Sequence, residues 1–297
     1  MHIEPFAVSK SSLYVVATPI GNLQDLTPRA QTILRSVSVI AAEDTRVTGQ
    51  MLKHFGITTP MISLREHNER AMSEKLVARL AAGETVAQVS DAGTPAISDP
   101  GAQLVAAVHA AGFKVVPVPG ASALTTALSG AGFMCPHTLF YGFLPPKSRQ
   151  RQDAIAPLAG LPYATVFYEA PHRILDTLND LANGFGQDRI ALVARELTKT
   201  FETLRRAPLG ELLAWATADA NQQRGEFVIV IDAAPPAEPD EANAHDHVLR
   251  PLMAELPLKQ AVALAQQITG APRNALYERA LSLKADNQND EEIDTES

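Results

Sequence analysis

The chain alternates short runs of β-branched and other apolar residues with longer segments in which apolar positions recur at helical spacing. Five apolar runs lie between residues 13 and 119, namely LYVVAT, VSVIAA, MISL, TVAQVS and KVVPVP. Four more lie between residues 138 and 231, namely TLFYGF, YATVFYE, RIALVARE and EFVIVI. Strands that alternate with helices are typical of α/β folds. The pattern predicts two α/β lobes, at 11–122 and 123–232.

A different pattern follows the second lobe. Residues 233–246 contain three prolines and no aliphatic side chain larger than Ala, which predicts a linker. Residues 247–284 return to helical spacing, with a break at Thr269-Gly270, and this predicts a small helical module that resembles a helix-turn-helix. The acidic residues 285–297 predict a disordered tail.

The distribution of charge along the chain says more about possible partners than the net charge does. The chain has 297 residues and a net charge of −8, which by itself argues against a nucleic-acid partner. Eleven acidic residues, however, lie in 232–246 and 286–297, where there is no Lys or Arg. Without these segments residues 1–231 are neutral and residues 247–284 carry +3. The net charge therefore does not exclude RNA as a partner.

Composition predicts a globular protein of the cytoplasm. Hydrophobic residues make up 46% of the chain, enough for a sizeable core. The first ten residues lack a basic segment followed by an apolar one, and no apolar run approaches the length of a membrane span. Cys135 is the only cysteine, so we expect neither an intrachain disulfide nor a cysteine-rich metal site.

Two loops rich in small residues follow neighbouring strands. Residues 90–101, SDAGTPAISDPG, contain two glycines, two prolines and two carboxylates before a helical segment, and VPVPGASA ends the next strand. Ligands of α/β proteins bind at the carboxyl ends of strands. We expect Asp91 to face the ligand, whereas Asp99, just before Pro100, is expected to cap the helix that follows.

Eight motifs together resemble one known family. They are LYVVATPIGNLQDLTPRA, AAEDTR, VSDAGTPAISDPG, VPVPGASA, FYGFLPPKSRQR, FYEAPHR, VARELTKTFE and GEFVIVI, and the resemblance covers residues 11–284. The chain resembles the ribosomal small subunit methyltransferase I family, in the tetrapyrrole methylase superfamily of class III methyltransferases. The resemblance implies a two-lobed α/β homodimer that binds S-adenosyl-L-methionine between its lobes. It also implies 2′-O-methylation of a cytidine ribose in the decoding region of 16S rRNA, in the small ribosomal subunit.

The resemblance also implies a methyl-donor site without a metal. A donor of this size needs backbone groups for its adenine, a carboxylate for its amine and an apolar slot for its methionine stem. Any single residue of the set could instead only shape a turn. With Asp91 added from the loop argument, the predicted donor-binding residues are Asp91, Gly93, Thr94, Pro95, Ala96, Ile97, Ser122, Ala123, Tyr168, Glu169, Ala170 and Gly225.

Transfer of a methyl group from a sulfonium to an oxygen needs no nucleophile from the protein, so positioning dominates. A base or a cation near the ribose hydroxyl would still help. The candidates are Arg46, Glu169 and Lys199, each of which could instead belong to a structural ion pair. Lys199 could act as a base only if its pKa were several units below the ordinary value.

A basic cluster beside two aromatic residues predicts contacts with RNA phosphates. Lys147, Arg149 and Arg151 form this cluster, and Arg173 is a further candidate, although the cluster could also be a solvated helix start. Two rival functions remain open: a sister methyltransferase that acts on a tetrapyrrole or a modified protein side chain, and a non-catalytic RNA-binding protein. The basic cluster and the basic helical module favour the RNA enzyme.

Overall fold

In this computed structural model, residues 8–235 and 245–294 are described, with side chains up to Lys284. The chain divides into two units, Met1–Ala234 and Pro235–Ser297, and each is described by itself. Most of the predicted linker and the last three residues of the predicted tail lie outside the described residues.

The first lobe is built on a five-stranded parallel sheet of order β3-β2-β4-β1-β5. Helices α1 and α2 cover one face, and α3 and α4 cover the other. The inner strands β2 and β4 are buried along their whole length, because a parallel sheet has a core on both faces. The elements are β1 Ser12–Val16, α1 Pro28–Ser36, β2 Val39–Ala42, α2 Thr45–His54, β3 Met61–Ser63, α3 Glu69–Ala81, β4 Val86–Val89, α4 Ala102–Ala110 and β5 Lys114–Val118.

The second lobe has a mixed five-stranded sheet of order β6-β7-β10-β8-β9. Its elements are α5 Ala123–Ala131, β6 Thr138–Phe143, α6 Ser148–Ile155, β7 Ala164–Glu169, α7 Ile174–Phe185, β8 Ile190–Arg195, β9 Thr203–Pro208, α8 Leu209–Ala218 and β10 Phe227–Ile231. Helix α5 packs on one face, and α6, α7 and α8 pack on the other.

The direction of β10 determines which residues meet at the end of this sheet. β10 runs antiparallel to both β7 and β8, and Phe227, its first residue, pairs with Glu169 and Arg195. The start of β10 therefore lies beside the carboxyl ends of β7 and β8. The segment before β10 is brought to the same edge as the ends of the two other strands.

Within residues 245–294, the second unit has three helices around a small apolar core of its own. They are α9 Asp246–Glu255, α10 Leu258–Thr269 and α11 Arg273–Asp294. Gly270 ends α10 in the left-handed conformation, with φ of +71°, at the predicted break. Helix α11 continues to Asp294, and no Gly or Pro interrupts it. The disordered tail at 285–297 stays a prediction. None of the helices in the described ranges combines the length and the apolarity that crossing a membrane requires.

Candidate functional site

A cavity of about 320 Å³ opens between the carboxyl ends of the first sheet and the edge of the second sheet where β7, β8 and β10 meet. Both lobes contribute to its wall, and most of the lining is apolar. The lining residues are Ile20, Ala92, Gly93, Thr94, Ile97, Ser98, Asp99, Ser122, Ala123, Phe143, Tyr168, Glu169, Ala170, Pro171, Ala194, Leu197, Glu226, Phe227 and Val228.

The first-lobe wall is the loop of residues 90–101, which is bound to the ends of two neighbouring strands. The N–H of Thr18, after β1, donates to the carbonyl oxygen of Gly93 at 2.8 Å, and the N–H of Gly93 donates back at 3.0 Å. The hydroxyl of Thr94 donates to the carbonyl oxygen of Ala121, after β5, at 3.1 Å. Ala96 and Ser98 are held in the left-handed region, with φ of +67° and +64°. Such strain in non-glycine residues is typical of ligand sites and shows that the surrounding fold determines the shape of this loop.

Asp99 does not cap α4, and the sequence-based prediction for it is wrong. The cap is supplied from α3, where Oε1 of the buried Glu69 accepts the N–H groups of Gly101 at 2.8 Å and Gln103 at 2.9 Å. Because a carboxylate from another helix occupies the position of the cap, Asp99 is free to line the cavity instead.

Carboxyl groups accumulate behind this wall. Burial, followed by the charge of Glu43 and then that of Asp91, raises the pKa of Asp99 to about 6, although a hydrogen bond from Ser90 opposes the rise. Burial also raises the pKa of Glu43. Hydrogen bonds from Arg46 hold the pKa of Asp44 well below its ordinary value. The cavity therefore contains a carboxyl group that changes its charge close to neutral pH.

Aromatic rings form part of the second-lobe wall. The hydroxyl of Tyr168 accepts the N–H of Leu124, at the start of α5, at 3.1 Å, and burial raises its pKa. The ring of Phe143 lies 5.7 Å from that of Tyr168 between centroids and is 51% exposed. A bulge in β6 between Phe140 and Gly142, where Gly142 has φ of +83°, precedes Phe143 at the cavity.

Glu169, predicted both to bind the donor and to act in catalysis, has its carboxylate enclosed by the fold. Its side chain is fully buried, and the carboxylate accepts the N–H of Ala170 at 2.7 Å and the hydroxyl of Thr177 at 2.6 Å. The guanidinium of Arg173 lies 3.3 Å away. This geometry favours the structural alternative for the carboxylate.

Lys199 lies beside the cavity as a cation. Its Nζ donates to Glu196 and to the cavity-lining Glu226, both at 2.7 Å. Burial alone would lower the pKa of Lys199, but these hydrogen bonds raise it above the ordinary value. A Cβ on Gly21 would lie 2.5 Å from the Lys199 side chain, so Lys199 packs over the turn after β1. A raised pKa is the opposite of what a base requires and suits a fixed positive charge.

Eight of the twelve predicted donor-binding residues line the cavity, and the others lie in the same loops. Asp91 is exposed, and its Oδ1 accepts the N–H of Asp44 at 3.0 Å. Pro95, Ala96 and Gly225 are absent from the lining, and a side chain on Gly225 would overlap Glu196. Arg46, with a side chain 82% exposed, pairs with Asp44 and is not part of the lining either.

Several lining residues were not predicted. Apolar residues such as Leu197 and Val228 have a pattern that cannot be distinguished from that of core residues. Glu226 reaches the cavity only because β10 is antiparallel to its neighbours. The one available signal was Asp99, a carboxylate in the loop already singled out, and it was assigned to a different role.

The predicted basic cluster is divided by burial. Lys147 and Arg149 are exposed at the start of α6. The prediction for Arg151 is wrong, because its side chain is 3% exposed and pairs with Asp180 at 2.6 Å, where no phosphate could reach it. Arg173 also uses hydrogen-bond donors within the fold, since its guanidinium donates to the carbonyl oxygens of Leu144 at 2.6 Å and Pro145 at 3.1 Å.

Comparison with known proteins identifies the family. Residues 12–213 match the Tetrapyrrole (Corrin/Porphyrin) Methylases, and residues 238–284 match the RsmI C-terminal HTH domain. The ribosomal RNA small subunit methyltransferase I of Pseudomonas aeruginosa is 50% identical over 92% of this chain and 98% of its own length. That of Escherichia coli O157:H7 is 48% identical over 92% of this chain and 96% of its own. The chain belongs to the ribosomal RNA small subunit methyltransferase I family. The predicted family and enzyme class, a methyltransferase, are confirmed.

Solved structures of more distant proteins show the same fold. The methyltransferase CobJ superposes with a TM-score of 0.56 at 19% identity, over 75% of this chain and 94% of its own. A diphthine synthase superposes with a TM-score of 0.54 at 14% identity, over 74% of this chain and 90% of its own. The predicted two-lobed tetrapyrrole methylase fold with a C-terminal helical module is confirmed.

Proposed function

We propose that this protein transfers a methyl group from S-adenosyl-L-methionine to the ribose 2′-hydroxyl of a cytidine in 16S rRNA of the small ribosomal subunit. The observation that carries the proposal is the cavity between the two lobes, in a chain about half identical to enzymes named for ribosomal RNA methylation. Resemblance to the family alone leads us to propose further that the protein acts as a homodimer in the cytoplasm.

The cavity suits the methyl donor in size and in chemistry. Its volume of about 320 Å³ is within the range of small-ligand sites. The loop at Gly93 and Thr94 offers backbone groups to an adenine, Ile20 and Leu197 offer apolar surface, and Asp99 offers a carboxylate. When bound, the donor supplies an electrophilic methyl group on a sulfonium. The residues of the cavity would hold that group and exclude water from it.

The charged residues at and near the cavity differ in the roles that we propose for them. The carboxylate of Glu169 is enclosed by its partners, so we do not assign it the role of a base. Lys199 is a fixed cation beside the cavity, and we assign it the stabilisation of negative charge that develops on the ribose oxygen. The exposed Lys147 and Arg149 follow Phe143 closely in the chain and would bind the phosphates of RNA.

The direct test is incubation of the purified protein with labelled methyl donor and small ribosomal subunits that lack the modification, followed by nucleoside mapping. We expect label in 2′-O-methylcytidine. Ala170→Trp, which fills the cavity, should abolish donor binding and labelling. Ala106→Trp, at an exposed position of α4, should change neither. Donor binding without labelling of RNA would favour a different acceptor, and RNA binding without donor binding would favour the non-catalytic alternative.

A further inference from the structure

Asp99 is a charged group of the cavity that offers a carboxylate to the methyl donor, and the proposed function does not say which group of the donor it meets. Three acidic residues line the cavity, and two of them have a cationic partner: Glu169 has Arg173 at 3.3 Å, and Glu226 has Lys199 at 2.7 Å. Within residues 8–235, no Lys or Arg nitrogen lies within 4.0 Å of the Asp99 carboxyl group. Of these three, Asp99 alone has a charge that the described fold leaves uncompensated.

The surroundings of Asp99 add to its negative potential. Glu43, after β2, and Asp91, in the same loop, both raise its pKa through their charges. Ser90 donates a hydrogen bond to it, and its charge contributes to the raised pKa of Tyr168, which lines the same cavity from β7. A cation bound in the cavity would therefore be attracted to this wall. The rings of Tyr168 and Phe143 offer π-electron density to the same charge.

Building on the proposed function, we propose that Asp99 is the counter-charge of the donor's sulfonium and makes the cavity prefer the methyl donor to its demethylated product. During transfer the ribose oxygen bonds to the methyl carbon while the carbon–sulfur bond breaks, and sulfur keeps the bonding electron pair. The ribose hydroxyl proton leaves to solvent. Sulfur becomes a neutral thioether, so the attraction to Asp99 disappears while the adenosine and amino-acid contacts remain. The cavity then holds the product less tightly, which promotes its release.

The test is calorimetric titration of the full chain, without RNA, with S-adenosylmethionine and with S-adenosylhomocysteine at pH 7. We expect Asp99→Asn to weaken the binding of S-adenosylmethionine about tenfold, as for the loss of one partly exposed charge pair. The binding of S-adenosylhomocysteine, which has no sulfonium, should weaken less than about threefold. Asp99→Glu should largely restore the preference. Asp188→Asn, an exposed site before β8 at the opposite edge of the sheet, should leave both affinities unchanged.

A pH series on the wild type makes the test independent of how the variant folds. Protonation of Asp99 removes the counter-charge. The preference for S-adenosylmethionine should therefore fall as the pH is lowered from 7 to 5, past the Asp99 pKa of about 6. Glu43, Asp91, Glu169 and Glu226 are the other carboxyl groups that face this region, and Glu43 also has a raised pKa. Asp99→Asn should therefore abolish the pH dependence, and its persistence in that variant would assign it to Glu43 instead.

The remaining outcomes separate this inference from the proposed function. If the wild type binds neither ligand, the proposed function fails. If it binds both, and neither Asp99→Asn nor pH changes their ratio, only the role of Asp99 is overturned. An equal loss for both ligands would place Asp99 against a group that they share and would also overturn it.

Discussion

The second-lobe wall of the cavity neutralises its charged side chains within the fold, whereas in the first-lobe wall no Lys or Arg among the described residues pairs with Asp99. Glu169 is enclosed by Ala170, Thr177 and Arg173, and it fixes the end of β7 to the start of α7. Asp99 has a hydrogen bond from Ser90 and the repulsion of two carboxylates. A carboxylate matched by protein partners stabilises the wall, and an unmatched one is available to a ligand. The comparison predicts opposite consequences for removing the two charges.

The largest effect is expected for Glu169→Ala. The change leaves buried donors of Ala170 and Thr177 without their acceptor and Arg173 without its carboxylate. We expect the free energy of unfolding to fall by about 3–5 kcal/mol, the usual cost of breaking a buried pair. Urea denaturation measures it, with Glu211→Ala, at an exposed position of α8, as the control. A loss no larger than that of the control would show that the second-lobe wall does not depend on Glu169.

Arg151→Ala extends the same comparison to α6. Burial would raise the pKa of Asp180, but hydrogen bonds from Gln152, Arg151 and Ser148 lower it, so the aspartate is the charged partner of Arg151 in the wild type. We expect a loss of about 3 kcal/mol in the free energy of unfolding, because part of the aspartate's hydrogen bonding survives. Arg149→Ala, two residues away and exposed, is the matched control and should change stability by less than about 0.5 kcal/mol. Similar losses in the free energy of unfolding for the two variants would show that Arg151 belongs to the exposed basic cluster after all.

Asp99→Asn should increase stability at high pH. The folded pKa of about 6 lies above that of an unfolded aspartate, so the contribution of Asp99 is complete at low pH and is lost as the pH rises through 6. We expect the variant to be about 1 kcal/mol more stable than the wild type at pH 8, a value reduced because the carboxyl group is partly exposed. The difference should disappear towards pH 4. Urea denaturation at both pH values checks it, and a variant less stable at pH 8 would show that Asp99 has a partner in the fold.

The smallest effect is expected at the exposed remainder of the basic cluster. Lys147→Ala combined with Arg149→Ala should reduce the slope of log K against log salt for RNA binding by about 2, one for each lost phosphate contact. Donor affinity should not change. Lys53→Ala combined with Lys114→Ala removes the same charge from other exposed positions and should leave the slope unaltered. An unchanged slope in the first pair would make the cluster an ordinary solvated helix start.

Sequence patterns predicted most of the fold, and they failed at the strand that carries charged residues. Each of the nine apolar runs contains all or nearly all of a strand, because a strand that packs against helices carries several apolar residues close together. β9, Thr203–Pro208, was not predicted, since it lies at the edge of its sheet and contains Arg205 and Arg206. The guanidinium of Arg205 lies 5.3 Å from the ring centroid of Trp215, and that of Arg206 lies 5.2 Å from the ring centroid of Phe133. These arginines cover aromatic surface, so two charged residues stand where the pattern of a strand would have an apolar one.

The loop of residues 90–101 was located from sequence because its glycines and prolines are local signals that follow a strand. The roles of its charged residues were not local. Glu69 occupies the capping position that was predicted for Asp99, and it comes from a helix 32 residues earlier than Gly101.

By itself the sequence determined the family, the two lobes, the helical module and the loops that form the cavity, since these depend on local composition and on motifs in order. Tertiary structure decided which charged residues remain available. Arg149 and Arg151 are the same residue type two positions apart, yet only Arg151 meets Asp180, 29 residues later in the chain. Glu169 and Asp99 are both carboxylates of the cavity, yet their neighbours differ. Glu169 has Thr177 and Arg173 as partners, whereas Asp99 lies near the carboxylates of Glu43 and Asp91. The physical reason is that the energy of a charge depends on burial and on nearby partners, and both come from elements that only folding brings together.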